Sequence, residues 1–281
     1  VWETIPSNFL RVALWLEADR MRNLEITQAD LRREIEVVKE ERRLRLDNVP
    51  YGTVIENLYE QAFRVHPYSH IPIGSMEDLR RSRLDEAVRF HKAQFAPNNA
   101  TLVIVGDFKK EQVQGWIRDY FLPIPRSETY ETKLIMPEPK QIVGRTLRLR
   151  KNVALPVLVH GYHVPSDGSV DSYALKLLPE ILSGGESSRL VRRLITGKQI
   201  ALEVKSVANL TEHPNLFVLY AILHEGVALA EGKQELRAEI ELLRKEQVSG
   251  EELTGARNRM LRDLALKRQN TKSLADLLGY A

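Results

Sequence analysis

The chain has no cysteine among its 281 residues, which excludes disulfides and thiolate metal sites and fits a reducing or an oxidising compartment equally. No apolar run approaches the roughly 20 residues that a membrane-spanning helix needs. Neither sign of charge dominates. The 41 basic and 38 acidic residues leave +3 at pH 7, and they are interleaved, so no basic tract forms a nucleic-acid footprint. The opening Val1-Trp2-Glu3-Thr4-Ile5-Pro6-Ser7 has neither an initiator Met nor a signal peptide, and the closing Leu277-Leu278-Gly279-Tyr280-Ala281 has no charged tail or cap. Both ends read as cuts inside a longer protein.

What is present is a globular composition, 43% hydrophobic and 28% charged, over a length that suits two domains with cores of their own. Apolar periodicity predicts helices from Ser7, as N-cap, to about Arg22, and from Gln28, capped by Thr27, to Leu46. A third is expected to open at Pro50 as a first-turn proline and to end before His66-Pro67-Tyr68-Ser69-His70. Further helices are expected at 85–94 and 110–120, with an apolar strand at 100–105 closed by Gly106-Asp107. Pro123, Pro125, Pro137 and Pro139 mark a semi-rigid linker over 123–144 between domains at 1–122 and 145–281, the second reading as truncated at its end. Beyond the linker, strands are predicted at 145–150, 156–163, 201–208 and 215–223. Helices are predicted at 170–182, from Arg189, at 228–245 and at 250–267. The fold class is α+β: two sandwich domains whose mixed or antiparallel sheets pack with helices.

The helix from Leu31 carries an anomaly. At 100° per residue, Leu31, Ile35, Val37, Val38, Leu44 and Leu46 share one broad arc, which is expected to face the core. Glu34, Glu41 and Arg45 fall in the middle of it, and a carboxylate aimed at a core is costly unless paired or bound to a metal. Glu34 and Glu41 are seven apart, on one stripe. Arg45, four residues after Glu41, offers the plain alternative of an ion pair on a partly solvated helix, and spacing alone favours it.

Several segments resemble the pitrilysin/insulinase family of zinc metallopeptidases, which includes the mitochondrial processing peptidases. They are Ile5-Pro6-Ser7 with Leu14-Trp15-Leu16-Glu17-Ala18-Asp19-Arg20-Met21; Glu34 through Arg43; His66-Pro67-Tyr68 with Gly74; Pro97 through Asp107; and Leu182-Ser183-Gly184-Gly185-Glu186-Ser187-Ser188-Arg189-Leu190. The likeness covers nearly the whole chain. It implies two metallopeptidase-like domains, with 1–122 the C-terminal part of the zinc-bearing one. It also implies Zn2+ as cofactor, Glu41 as a metal ligand and Glu34 as an acidic neighbour supporting the site. The family's other ligands and general base lie in a His-x-x-Glu-His on an earlier helix, so no catalytic residue is assigned in this chain, which is expected to be inactive alone. Among the seven histidines no pair rebuilds that motif. His66 and His70 are broken by prolines, His160 and His163 lie on opposite faces of a strand, and His91, His213 and His224 read as surface or packing residues.

The resemblance implies an endopeptidase acting on peptides or unfolded segments inside a chamber, the substrate adding as an extended strand to a sheet edge. One departure bears on partners. Members that complete their site within one kind of chain carry an Arg and, seven residues later, a Tyr after the Gly-Gly segment; here those positions are Ile195 and Leu202, which cannot donate the hydrogen bonds. A homologous metal-free subunit supplying Arg and Tyr is therefore the implied partner, as in periplasmic or exported bacterial members. Two other readings remain at this point: a non-catalytic core or partner subunit of the same fold, and a general protein-binding scaffold. Neither nucleic acid nor a membrane span is expected.

Overall fold

A computed structural model describes residues 1–127 and 134–280. Within them the chain forms two compact units, one built from Val1–Lys39, Ser75–Leu134 and Leu264–Ala281, the other from Glu40–Gly74 and Ile135–Asp263. Both are discontinuous in sequence, whereas a boundary read from composition is a single cut. Of the predicted linker, residues 128–133 lie outside the described residues; its described remainder forms neither helix nor strand.

The first unit is helical among its described residues. A 3-10 turn at Ser7–Phe9 leads into α1 (Leu10–Asn23), and Ser7 is not its cap: it already lies inside the turn, its carbonyl accepting from the Leu10 N–H. Helix α1 packs on α6 (Lys110–Phe121), Leu14 and Ala18 of the one and Val113 of the other are buried, and Arg11 Nε donates to the Tyr120 hydroxyl at 2.7 Å. Helices α4 (Met76–Arg81), α5 (Leu84–Gln94) and α10 (Thr271–Gly279) belong to the same unit; α4 is capped by Ser75, whose side chain accepts from the Asp78 N–H. Residues 100–105 are not a strand, because they have no ladder partner among the described residues and a strand exists only by pairing. The same correction applies to 145–150.

Helix α2 (Gln28–Arg42) starts as expected. Thr27 Oγ1 accepts the Asp30 N–H at 3.2 Å while Asp30 Oδ2 accepts the Thr27 N–H at 3.2 Å, a capping box with Asp in place of Glu. It stops at Arg42 rather than Leu46, and residues Arg43–Asp47 widen into a π-helical turn. Pro50 opens no helix: α3 (Val54–Ala62) starts four residues later.

The second unit is a sheet covered on both faces. Strands β1 (Val157–Val164), β2 (Ala201–Ala208) and β3 (Asn215–Leu223) are antiparallel in the order β1-β3-β2. Because strand side chains alternate, Phe217, Leu219, Ala221 and Leu223 enter one core with Leu182 of α7 (Val170–Ser183) and Leu236 of α8 (Leu229–Lys245), while Leu216 and Val218 enter another with Phe63 beside α3. Gly232 permits the approach of α8, since a Cβ there would stand 2.7 Å from Leu223 Cδ1 and 2.8 Å from Leu158 Cδ1.

The helix expected from Arg189 winds as π-helix over Val191–Gly197, and buried charge holds it. Glu235 and Glu239 of α8 are both buried; Arg193 Nε and Lys198 Nζ reach Glu235 at 2.8 and 2.7 Å. Arg189 forks onto Glu252 of α9 (Gly250–Arg268) at 2.6 and 2.9 Å. That hydrogen-bonded guanidinium is the main cause holding the Glu252 carboxyl down at about 2.

Candidate functional site

Within the second unit, the end of α2 carries the candidate ligand Glu41 beside a buried polar knot. The expected core-facing arc of α2 is not buried. Val37 is 54% exposed and Leu44 63%, Leu31, Ile35 and Val38 are half-buried, and the buried residue of the helix is Arg42. Among the described residues the arc is therefore only partly covered, and Val37 and Leu44 meet solvent. Glu41 is half-buried, with Oε1 2.7 Å from Arg45 Nη1, the ion pair that spacing alone favoured. Glu34, on the part of α2 in the first unit, is well exposed and 4.0 Å from Arg33.

Arg42 was not singled out by the sequence. Its Nη1 donates to Glu56 Oε1 and to the Gly74 carbonyl, both at 2.7 Å, and its Nη2 donates to Glu56 Oε2 at 2.9 Å. Asp47 stands 3.5 Å away. Glu56 sits in the first turn of α3, and Gly74 takes φ +71°, a left-handed value that suits glycine. These partners are 14 and 32 residues from Arg42, so no helical or strand period connects them and only the tertiary fold brings them together.

A second polar cluster lies where α3 ends. The Glu138 carboxylate accepts the backbone N–H groups of Arg64, Val65 and His66 at 2.8–3.0 Å, a backbone nest for an anion; these bonds outweigh burial and keep the carboxyl below its usual range. His66 is buried, and its Nδ1 accepts the Tyr68 N–H at 3.2 Å, which leaves the ring proton on Nε2. Its ring centroid is 5.0 Å from that of His213, so His213 does pack, as one of the two plain readings had it. A histidine whose Nδ1 lone pair is engaged by a backbone donor is a poor metal ligand, because ligating imidazoles donate from the second nitrogen.

His160, on the α8-facing side of β1 opposite Leu219, is held neutral. Burial, then the charges of Arg237 and Lys233, push it down to about 4. Its folded-state value lies below the unfolded one near 6.5, so its contribution is fully present above pH 6.5 and is lost as pH falls toward 4. Unfolding in urea at pH 5.0 is expected to need about 2 kcal/mol less than at pH 7.5 on this account, and His160→Gln should flatten that slope. An equally steep slope in the variant would assign the acid sensitivity elsewhere.

A zinc ion takes carboxylate oxygen among its donors, and Glu41 fits one position by chemistry and by access. No cluster of three or more His, Cys, Asp or Glu side chains able to hold a metal occurs among the described residues. Among the described residues Glu41 is thus a single possible donor and not part of an assembled site. Ile195 packs against the core beside α7 and α8, and Leu202 is 57% exposed on β2; both are apolar where Arg and Tyr were sought. Arg193, two residues before Ile195, is committed to Glu235 and Glu239.

A family model described as the peptidase M16 inactive domain matches residues 83–260. The zinc protease PqqE of Helicobacter pylori is 30% identical over 272 residues, covering 95% of this chain and 60% of the relative. A probable mitochondrial-processing peptidase subunit beta of Arabidopsis thaliana is 21% identical over 277 residues, covering 95% and 51%. Among solved structures, a protease from Helicobacter pylori superposes with a TM-score of 0.92 at 28% identity, covering 98% of this chain and 67% of that one. The periplasmic protease PqqL from Escherichia coli shares the fold, with a TM-score of 0.73 at 15% identity over 99% of this chain and 31% of that one. The chain therefore spans about three-fifths of the length of the first curated relative. No helix among the described residues is long and apolar enough to cross a membrane.

Proposed function

The chain belongs to the M16 peptidase family, and from that premise we propose that it is part of a zinc-dependent endopeptidase, contributing Glu41 to a metal site whose other donors lie outside these residues. The observation that supports this reading most is the partly covered arc of α2. It places a half-buried carboxylate between exposed Val37 and Leu44, on a helix face that a further piece of protein is needed to cover. The relatives have that further length. Zinc, when bound, polarises a peptide carbonyl and lowers the pKa of a bound water toward 7. The part this chain plays is narrower: α2 presents the Glu41 oxygen, and Glu34, two turns earlier on the same helix, is the acidic neighbour assigned the supporting role. For Glu41 to bind metal its pair with Arg45 must open; at the surface such a pair is worth a fraction of a kcal/mol, about 0.3–0.5 for this helical spacing.

The apolar Ile195 and Leu202 favour a divided assembly, in which a homologous metal-free subunit supplies the polar contacts to the peptide. Peptides or unfolded segments are the substrate class, and an exported or periplasmic setting is the one we favour. The non-catalytic alternative draws on the family model itself, which describes an inactive domain; Glu41 and Glu34 on one stripe weigh against it.

Incubating the isolated chain with zinc and an unfolded protein substrate is expected to give no hydrolysis, while the protein at the full length of its relatives, with its partner subunit, hydrolyses the same substrate and stops when the metal is chelated. Hydrolysis unaffected by chelation would sink the zinc reading, and a full-length assembly that binds no zinc would favour the non-catalytic one.

A further inference from the structure

We propose that Arg42 is the positioning residue for Glu41, an inference that rests on reading Glu41 as a metal ligand. A helix aims a side chain only as well as its own rotation is fixed, and rotation is ordinarily fixed by an apolar stripe locked into a core. Helix α2 lacks that lock, because its apolar arc is exposed or half-buried and its buried residue is the charged Arg42.

The guanidinium supplies the lock instead. Its two terminal nitrogens grip both oxygens of Glu56 in a parallel fork, and one of them also reaches the Gly74 carbonyl. Three directional bonds to two chain segments define the orientation of the Arg42 plane, which a single point charge could not do. The fork partner is itself restrained: the Glu56 side chain is 12% exposed and sits in the first turn of α3, where a carboxylate is favoured by the helix dipole.

Location makes the lock matter for Glu41. Arg42 is the next residue, about 100° further round the helix, so tethering its guanidinium to α3 and to Gly74 restrains the turn of backbone from which Glu41 projects. The regular helix ends there, and the following π-helical turn at Arg43–Asp47 carries exposed Leu44 and Arg45. Without the fork, nothing buried on α2 resists rotation of its last turn. A buried ion pair is weak evidence for stability, and fixing one arrangement is its better-attested use.

The test is zinc affinity of the full-length protein by chelator competition at 25 °C, with thermal unfolding measured in parallel. Arg42→Lys keeps the charge and most of the stem but removes the fork. It is expected to weaken zinc binding at least ten-fold, with the circular dichroism of the folded state unchanged. Glu56→Asp keeps both charges, shortens the reach, and should weaken binding in the same direction by a smaller factor; it decides the matter if Arg42→Lys does not fold. A purely structural ion pair would lower the melting temperature and leave zinc affinity of the folded protein within two-fold of wild type, which would overturn the proposal. Glu41→Gln separates the two claims. If it weakens zinc binding and neither Arg42→Lys nor Glu56→Asp does, only the positioning role fails; if Glu41→Gln leaves affinity unchanged, the ligand reading fails and takes this inference with it.

Discussion

Replacing Leu219 by alanine is expected to lower the stability of the chain by roughly 3 kcal/mol, within the 2–5 kcal/mol typical of buried leucines. Leu219 is fully buried at the middle of β3, paired with His160 on one side and Ser206 on the other. Its side chain joins the cluster that packs β3 against α7 and α8. Two losses combine: the transfer free energy of the deleted carbons, and the cavity left where a central strand between two others has little room to collapse. Urea unfolding should show a lower midpoint with an unchanged slope. Leu202→Ala on β2 is the control, because that residue is 57% exposed and its loss should stay within about 0.5 kcal/mol. Equal effects at the two positions would mean that the core does not lie where the alternation of β3 places it.

Removing the charge of Glu41 is expected to have the larger functional effect. In the full-length assembly, Glu41→Gln should weaken zinc binding by two orders of magnitude or more, because one of the few protein donors to a small, strongly polarising ion is lost outright. Glu34→Gln should cost about 10–100-fold, the range for groups that orient a ligand from outside the coordination sphere. Both variants should fold as the native chain does, since Glu34 is exposed and the Glu41–Arg45 pair adds little. Competition against a chelator of known affinity measures both. A larger effect at Glu34 than at Glu41 would reverse the roles given to them.

Much of the second unit was legible in the sequence because its elements carry local signatures. Strands β2 and β3 run over the predicted ranges, and α7, α8 and α9 differ by a residue at an end. Continuous apolar runs and long amphipathic stretches of this kind survive any arrangement of neighbours. Residues 100–105 and 145–150 show the limit, since β-propensity says that a segment can pair and not that a partner is present. The arc of α2 failed for the same reason: periodicity identifies a face that ought to be covered, and what covers it is a separate question. Pro50 and Ser7 were placed by residue preference, yet Ser7 lies inside the 3-10 turn and Pro50 in the turn that precedes α3.

Of the polar neighbourhood at the end of α2, Glu41 and its pair with Arg45 were legible in the sequence, and the ligand role of Glu41 came from the resemblance. Glu41 stood out as a carboxylate on an apolar arc, whereas Arg42, Glu56 and Gly74 assemble across 14 and 32 residues of sequence and leave no pattern for periodicity to find. The same holds for Glu138, whose nest is made of backbone N–H groups that carry no residue preference at all. His66 and His213 were read separately, one within a proline-broken loop and one as a lone histidine, and the fold sets their rings edge to face.

The most direct test of the central claim is the position of zinc in crystals of the full-length protein, located by anomalous scattering at the zinc edge. The account predicts a peak about 2.0–2.2 Å from a Glu41 oxygen, with the pair to Arg45 opened. A peak elsewhere, with Glu41 still held by Arg45, would contradict it.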